Sequence, residues 1–247
     1  MLVFSRSLTR YGGITSRMTS FTKLPGSMLP SIGDQQPKSS PASSAPFSST
    51  SSEYQRRDAH KTHTDVKDEE HYVLTLHLDD EMDSAVSALR AKYFPAERLK
   101  VAAHICLFRA LPGSLLAEIR DDIFEEARHM SSFTIRTGEP FRMGNNGVGL
   151  SVSGLGPVEG VTRHLQKKWC KVLSQQDRGR FRGHFTIMNK VHDKEIVEKC
   201  LQEVRDEFPS CEGTVQAFCL WRYDHGYWKD AELFRFSHQF HHMDVHQ

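Results

Sequence analysis

Two tetrapeptides constrain this chain more than any other feature: His104-Ile105-Cys106-Leu107 and His184-Phe185-Thr186-Ile187. Each reads histidine, apolar residue, small residue with a side-chain proton donor, apolar residue. In an extended strand successive side chains point to opposite faces. His104 and Cys106 then share one face while Ile105 and Leu107 share the other, and His184 and Thr186 separate from Phe185 and Ile187 in the same way. Each segment anchors itself in a core and offers an imidazole and a donor to one pocket. Both lie in strand-like runs, Leu99 to Ala110 and Gly183 to Val191, each followed by an amphipathic helical pattern. Their separation leaves room for one supersecondary unit to be repeated. With 14 histidines in the chain, chance supplies roughly 0.3–0.4 such motifs; there are two.

The surrounding pattern is mixed. Tyr72 to Leu78 alternates and is rich in β-formers, a strand signature. Asp79 and Asp80 cap a helix with Met82, Val86, Leu89 and Tyr93 at helical spacing, ending before Pro95. After the first motif, Pro112-Gly113-Ser114 turns the chain into a helix whose stripe is Leu116, Ile119, Ile123, Phe124 and Ala127. Phe133 to Thr137 and Val148 to Val152 are candidate strands separated by the turn-prone Gly144-Asn145-Asn146-Gly147. Val161 to Leu173 reads as a helix, Gln175 to Arg180 as a polar, basic loop, and Asp193 to Phe208 as a helix with an aspartate cap. Val215 to Leu220 pairs with Glu232 to Phe236 through a turn around Asp224-His225-Gly226. Interspersed strands and helices give an α+β class.

Composition bounds the partners. A net charge of +1 over 247 residues provides no global basic field for long duplexes, although a local positive pocket suffices for a phosphate or an RNA end. The five cysteines all follow residue 105, form no CxxC pair and are odd in number, which fits free thiols in a reducing compartment. No apolar run reaches the roughly 20 residues of a membrane span. Met1 to Pro30 carries Arg6, Arg10, Arg17 and Lys23 and no acid, with Phe4, Leu8 and Tyr11 on one helical face. That start fits a mitochondrial transit peptide or an ordinary basic tail, and Gly12-Gly13 weakens any helix there. Met18 is an alternative start that removes most of this segment, so the location expected is mitochondrial or cytoplasmic, and dual forms are a hypothesis that sequencing the mature N-terminus tests. Residues 31–70, Ser/Pro-rich and then charged, read as a disordered linker, residues 71–237 as the folded domain, and 238–247 as a histidine-rich tail. His238, His241, His242 and His246 form either a loose chelator or a solvated end. Without a closed four-ligand set at regular spacing, no metal centre is expected.

In its two motifs, and in the closing segment Gly213-Thr214-Val215 through Leu220-Trp221-Arg222-Tyr223-Asp224, the chain resembles the 2H phosphoesterase superfamily. That superfamily includes the 2′-5′ RNA ligase-like proteins and cyclic nucleotide phosphodiesterases. The closing segment is similar to a fungal-type branch, and the resemblance runs from about Tyr72 to Phe236. It implies a bilobal fold, two pseudo-twofold-related lobes of antiparallel strands with helices outside and one motif strand from each lining a central cleft. It also implies a metal-independent phosphodiesterase needing no cofactor; a monomer is expected, although the sequence leaves the oligomeric state open. The substrates it implies are RNA 2′,3′-cyclic phosphate ends, small cyclic nucleotides or 2′-5′-linked oligonucleotides, with reversible 2′-5′ RNA ligation as a further reaction in RNA processing.

The residue types suit that chemistry. Two imidazoles titrating near neutrality supply a base and an acid, and fixed donors stabilise the charge that builds on phosphate oxygens. Thr186 supplies a hydroxyl donor, whereas Cys106 supplies only a weak thiol donor and departs from the family's His-x-Ser/Thr-x form. A working assignment makes His184 the base for water and His104 the acid for the leaving 3′ oxygen, an order the residues leave open. Arg182 and Lys190 fall on the face of His184 and Thr186, where they suit phosphate binding. Phe108 shares the inward face of the first motif strand and either stacks on an unpaired base or packs in the core. Tyr223 and Trp221 flank the cleft or belong to the last hairpin's core. The weak donor Cys106 keeps open a non-catalytic nucleotide or RNA-end binding module, and a scaffold with a vestigial site is a third option. No glycine-rich phosphate loop with Lys-Ser/Thr is present, which argues against ATP-driven ligation of that kind.

Overall fold

The computed structural model describes residues 61–237. The expected transit peptide at 1–30, the linker up to residue 60 and the histidine-rich tail at 238–247 lie outside the described residues. Residues 61–70, placed in the linker above, are held against the domain. The His63 amide donates to Val172 O at 2.9 Å, and one carboxylate oxygen of Glu69 accepts the Ser114 amide at 2.9 Å.

Strand β1 (His71–Leu78) leads into helix α1 (Asp80–Tyr93), whose first turn is fixed by Asp79. One Asp79 oxygen accepts the Met82 amide at 2.9 Å, and the other accepts the amide of Thr214, 135 residues along the chain. One residue therefore caps the helix and ties it to a distant strand. Asp79→Ala is expected to destabilise the domain by ~1–2 kcal/mol, the cost of a lost cap, with a smaller loss for Asp79→Asn. A loss below a few tenths of a kcal/mol in urea unfolding contradicts this dual role.

After α1 come β2 (Cys106–Pro112) and α2 (Leu116–Arg128), then β3 (Phe133–Arg142) and β4 (Val148–Ser153). Helix α2 buries Ile119, Ile123 and Ala127, while Phe124 of the expected stripe faces solvent. Next are α3 (Gly156–Lys168), β5 (His184–Met188) and α4 (Lys194–Glu207), the last capped by Asp193 on the Glu195 amide at 2.8 Å. Helix α3 begins earlier than the sequence pattern suggests, with Pro157 in its first turn, a position that needs no amide hydrogen. The long hairpin β6 (Glu212–Asp224) and β7 (Tyr227–Arg235) closes the domain. Its turn places His225 and Gly226 at positive φ.

All strands join one seven-stranded sheet in the order β2-β1-β6-β3-β4-β5, with β7 also paired to β6, and every pairing is antiparallel. The expected repeat exists as a unit of strand, helix, motif strand, helix: β1-α1-β2-α2 and again β4-α3-β5-α4. The two halves are not separate sheets, because β6 pairs with β1 in one half and β3 in the other. The motif strands β2 and β5 sit at opposite ends of this order, so only curling of the sheet can bring them together. No helix among the described residues is long and apolar enough to cross a membrane.

Candidate active site

The alternation of the two motifs appears directly in their burial. Ile105, Leu107, Phe185 and Ile187 are buried in the core, while His104, Cys106, His184 and Thr186 are each partly exposed. Burying such apolar side chains contributes about 1.5–3 kcal/mol apiece, so the same residues that stabilise the sheet hold the imidazoles in place.

Both histidines are locked in the same way. His104 Nδ1 lies 2.8 Å from Ala102 O, and His184 Nδ1 lies 2.8 Å from Arg182 O. A carbonyl oxygen only accepts, so Nδ1 carries the hydrogen in each ring and Nε2 is left for chemistry. Each ring also rests on an aromatic neighbour. His104 packs against Trp228 with centroids 4.3 Å apart, and Phe141 meets His184 edge-on at 5.8 Å.

Three contacts bring the sheet ends together. The buried Arg90 on α1 donates through Nη1 to Thr186 O in β5 and through Nε to Val101 O, on the approach to β2, at 3.4 Å. Its guanidinium carbon sits 3.8 Å from the Phe94 ring centroid. Asp177, whose side chain is fully buried, reaches from the loop before β5 to edge strand β2. It accepts the Arg109 amide at 3.0 Å and the Ala110 amide at 2.9 Å, satisfying backbone donors that an edge strand otherwise leaves open. Gly183 leaves no space for a β-carbon, which would collide with Leu155 and approach Ile105. The chain therefore passes close to the first motif just before His184.

The local charge is positive. Burial above all lowers the His104 pKa to about 4; its bond to Ala102 O opposes this, and the nearby cations Arg90 and Arg109 and the imidazole of His184 add smaller downward effects. His104 is therefore neutral at pH 7. Burial lowers the Arg90 pKa to about 10, so Arg90 stays charged. Burial pushes the Cys106 thiol up to about 12, and its Sγ–H donates to Phe108 O at 3.3 Å. The thiol is neutral and directed at its own strand. No hydrogen bond engages the Thr186 hydroxyl among the described residues.

Beside His104 lies a cavity of about 370 Å³ walled by Trp221 and Trp228, with His77, Asp83 and Lys100 on its rim. Trp221 Nε1 donates to Thr75 Oγ1 at 3.0 Å, which fixes that wall. A second cavity, of about 250 Å³, is lined by Cys106, Arg109, Arg180, Arg182 and His184.

Three of the residues expected in the site are placed elsewhere. Phe108 is fully buried against Trp169 at 5.1 Å. Thr75 pairs with Cys106 and the adjacent Leu74 with Phe108, so β2 carries an extra residue there. That bulge breaks the alternation, turning Phe108 inward and giving Arg109 the cleft position. Lys190 lies beyond the end of β5 at φ 61°, which takes it off the strand face, and Asn189 lines the groove beside His184 instead. Tyr223 is 45% exposed and lines neither cavity beside the histidines; Trp221, two residues earlier, lines the one beside His104. Arg182 lines a cavity together with Cys106 and His184. The sequence reading missed Arg90 and Asp177, which look like a helix-surface cation and a loop acid, and Trp228, whose place follows only from its pairing with Tyr223.

Residues 78–227 match the family model of the 2′-5′ RNA ligase superfamily, a span that includes both histidines and more than half of the chain. No curated protein matches the chain. Among solved structures, TT0787 of Thermus thermophilus is 17% identical with a TM-score of 0.47, over 68% of this chain and 100% of its own. A phosphoesterase is 15% identical with a TM-score of 0.46, over 68% and 99%. Escherichia coli LigT, crystallised with ATP, is 16% identical with a TM-score of 0.44, over 68% and 99%.

Proposed function

We propose, from the premise that this chain belongs to the 2′-5′ RNA ligase superfamily, that it is a metal-independent phosphodiesterase opening 2′,3′-cyclic phosphates. The observation that carries the reading is the matched pair of Nδ1–carbonyl locks, which leaves two Nε2 atoms for proton transfer. The buried positive charge of Arg90 favours an anion beside the histidines, and the Trp221–Trp228 wall suits an unpaired base.

In this mechanism His104 is the base, reversing the working assignment, because its burial keeps it neutral. Nε2 of His104 takes a proton from water as the water oxygen attacks phosphorus. The bond from phosphorus to the 3′ oxygen breaks, and His184, entering protonated on Nε2, delivers that proton to the leaving oxygen. The product is a 2′-phosphate with a free 3′-hydroxyl. The Thr186 hydroxyl donates to a phosphate oxygen as charge builds, and the histidines return to their starting forms by proton exchange with solvent. With the 5′-hydroxyl of a second RNA in the place of water, the same steps join it to phosphorus through a 2′-5′ linkage while the 3′ oxygen leaves protonated by His184.

Adenosine 2′,3′-cyclic phosphate incubated with the protein in EDTA is expected to give adenosine 2′-phosphate, resolved from the 3′ isomer by chromatography. A second reading, a binding module without turnover, draws on the Cys106 thiol being committed to Phe108 O. Binding of the nucleotide by folded wild-type protein with no product released would establish that reading in place of the first.

A further inference from the structure

The cavity between β2 and the loop before β5 holds more positive charge than one reacting phosphate requires. Arg109, Arg180 and Arg182 line it together with Cys106 and His184. Many arginines on this surface are neutralised, as Arg120 is by Glu232 and Arg222 by Asp230. Arg180 and Arg182 pair with no carboxylate among the described residues, and neither is buried. The loop that carries them is firmly held. The Gln166 side-chain amide on α3 donates to Asp177 O at 2.8 Å and to Gly179 O at 2.7 Å, while the Asp177 carboxylate is bonded to β2. Among the described residues Asp177 is the one acid lining this cavity, and its charge is engaged by two backbone amides and by Arg109 Nη1 at 3.9 Å. Two unpaired guanidinium forks on a fixed backbone, beside a neutralised acid, form a recognition surface for a phosphate.

We infer that this cavity is a second anion subsite, which binds a phosphate carried on the 5′ side of the nucleotide whose cyclic phosphate meets the histidines. The inference rests on the proposed function for what occupies the first site, and it narrows the substrate to one bearing two phosphate groups. Such a phosphate has two sources, the upstream phosphodiester of an RNA end or the 5′-pyrophosphate of a free nucleotide.

Calorimetric titration of the full chain at low salt with adenosine 2′-phosphate and adenosine 2′,5′-bisphosphate tests this without relying on turnover. The bisphosphate is expected to bind at least ~tenfold more tightly, as charge-assisted contacts to a second phosphate require. In an Arg180→Met/Arg182→Met double variant, shown to be folded by its thermal transition, the ratio is expected to fall to near one; Arg180→Lys/Arg182→Lys retains part of it. A ratio near one in wild type, or an undiminished ratio in the methionine variant, overturns the subsite. A dinucleotide ending in a 2′-phosphate and adenosine 2′-phosphate 5′-diphosphate separate the sources. The tighter of the two identifies the source, and failure of both to exceed adenosine 2′-phosphate also overturns the subsite. A protein that prefers the bisphosphate but hydrolyses nothing loses the proposed function and keeps the subsite, whereas a hydrolase indifferent to the 5′-phosphate does the reverse.

Discussion

His104→Ala is expected to lower kcat/KM on a 2′,3′-cyclic phosphate by about 10²–10⁴, the range for removal of a positioned general base. His104→Gln is expected to be as inactive while keeping more of the packing against Trp228. The pH profile carries the sharper content. kcat/KM reports ionisations of the free enzyme, so the acid limb set by His104 is expected near pH 4, well below the ordinary histidine value. An acid limb near 6.5 that disappears in His104→Gln shows His104 charging like an exposed imidazole, which contradicts its burial-lowered ionisation, whereas an acid limb that survives unchanged in His104→Gln contradicts the base assignment. Stability is linked to the same proton. Between pH 6.5 and about 4 the unfolded chain takes up a proton that the folded site refuses, so the folded state loses stability as pH falls through that window and keeps it above. Because His104 is partly exposed, the loss relative to His104→Gln is expected to be only ~1–2 kcal/mol, after discounting for solvent screening.

Arg90→Met is expected to cost about 2–4 kcal/mol, because Val101 O and Thr186 O each lose a buried donor worth ~1–3 kcal/mol when left unmet. The variant is also expected to lower kcat/KM by about 10–100-fold, since small misplacement of reacting groups is costly. Arg90 touches neither reacting atom; it spans the approaches to both histidines from behind. Two readouts separate this positioning role from a purely structural one. Arg90→Lys keeps the charge with fewer donors and is expected to fall between wild type and Arg90→Met. Removing the cation also makes protonation of His104 easier, so the acid limb of kcat/KM is expected to move to higher pH in Arg90→Met. Lost stability with unchanged kcat/KM and an unmoved acid limb assigns Arg90 to the fold alone.

The parts of the site legible in the sequence share a physical character. His104, Cys106, His184 and Thr186 were legible because side-chain alternation belongs to an extended backbone itself and needs no neighbour. The Asp79 and Asp193 caps were legible for a similar reason, since a cap acts within one turn of its own helix. Phe108 and Lys190 leave the faces that strict alternation gives them where the backbone departs from the regular strand: a bulge set by pairing with β1, which puts Phe108 in its core alternative, and a left-handed residue just past β5.

The sequence by itself determined the two motifs, the repeated strand-helix unit around them and the α+β class, because periodicity and capping are local consequences of backbone geometry. Only the tertiary structure decided that the two ends of one sheet meet, that Arg90 lies behind both histidines and that Asp177 clamps the basic loop to β2. Those contacts join residues 96 and 68 positions apart, and burial in that assembled interior, rather than the identity of His104, gives its imidazole the neutral form a base requires.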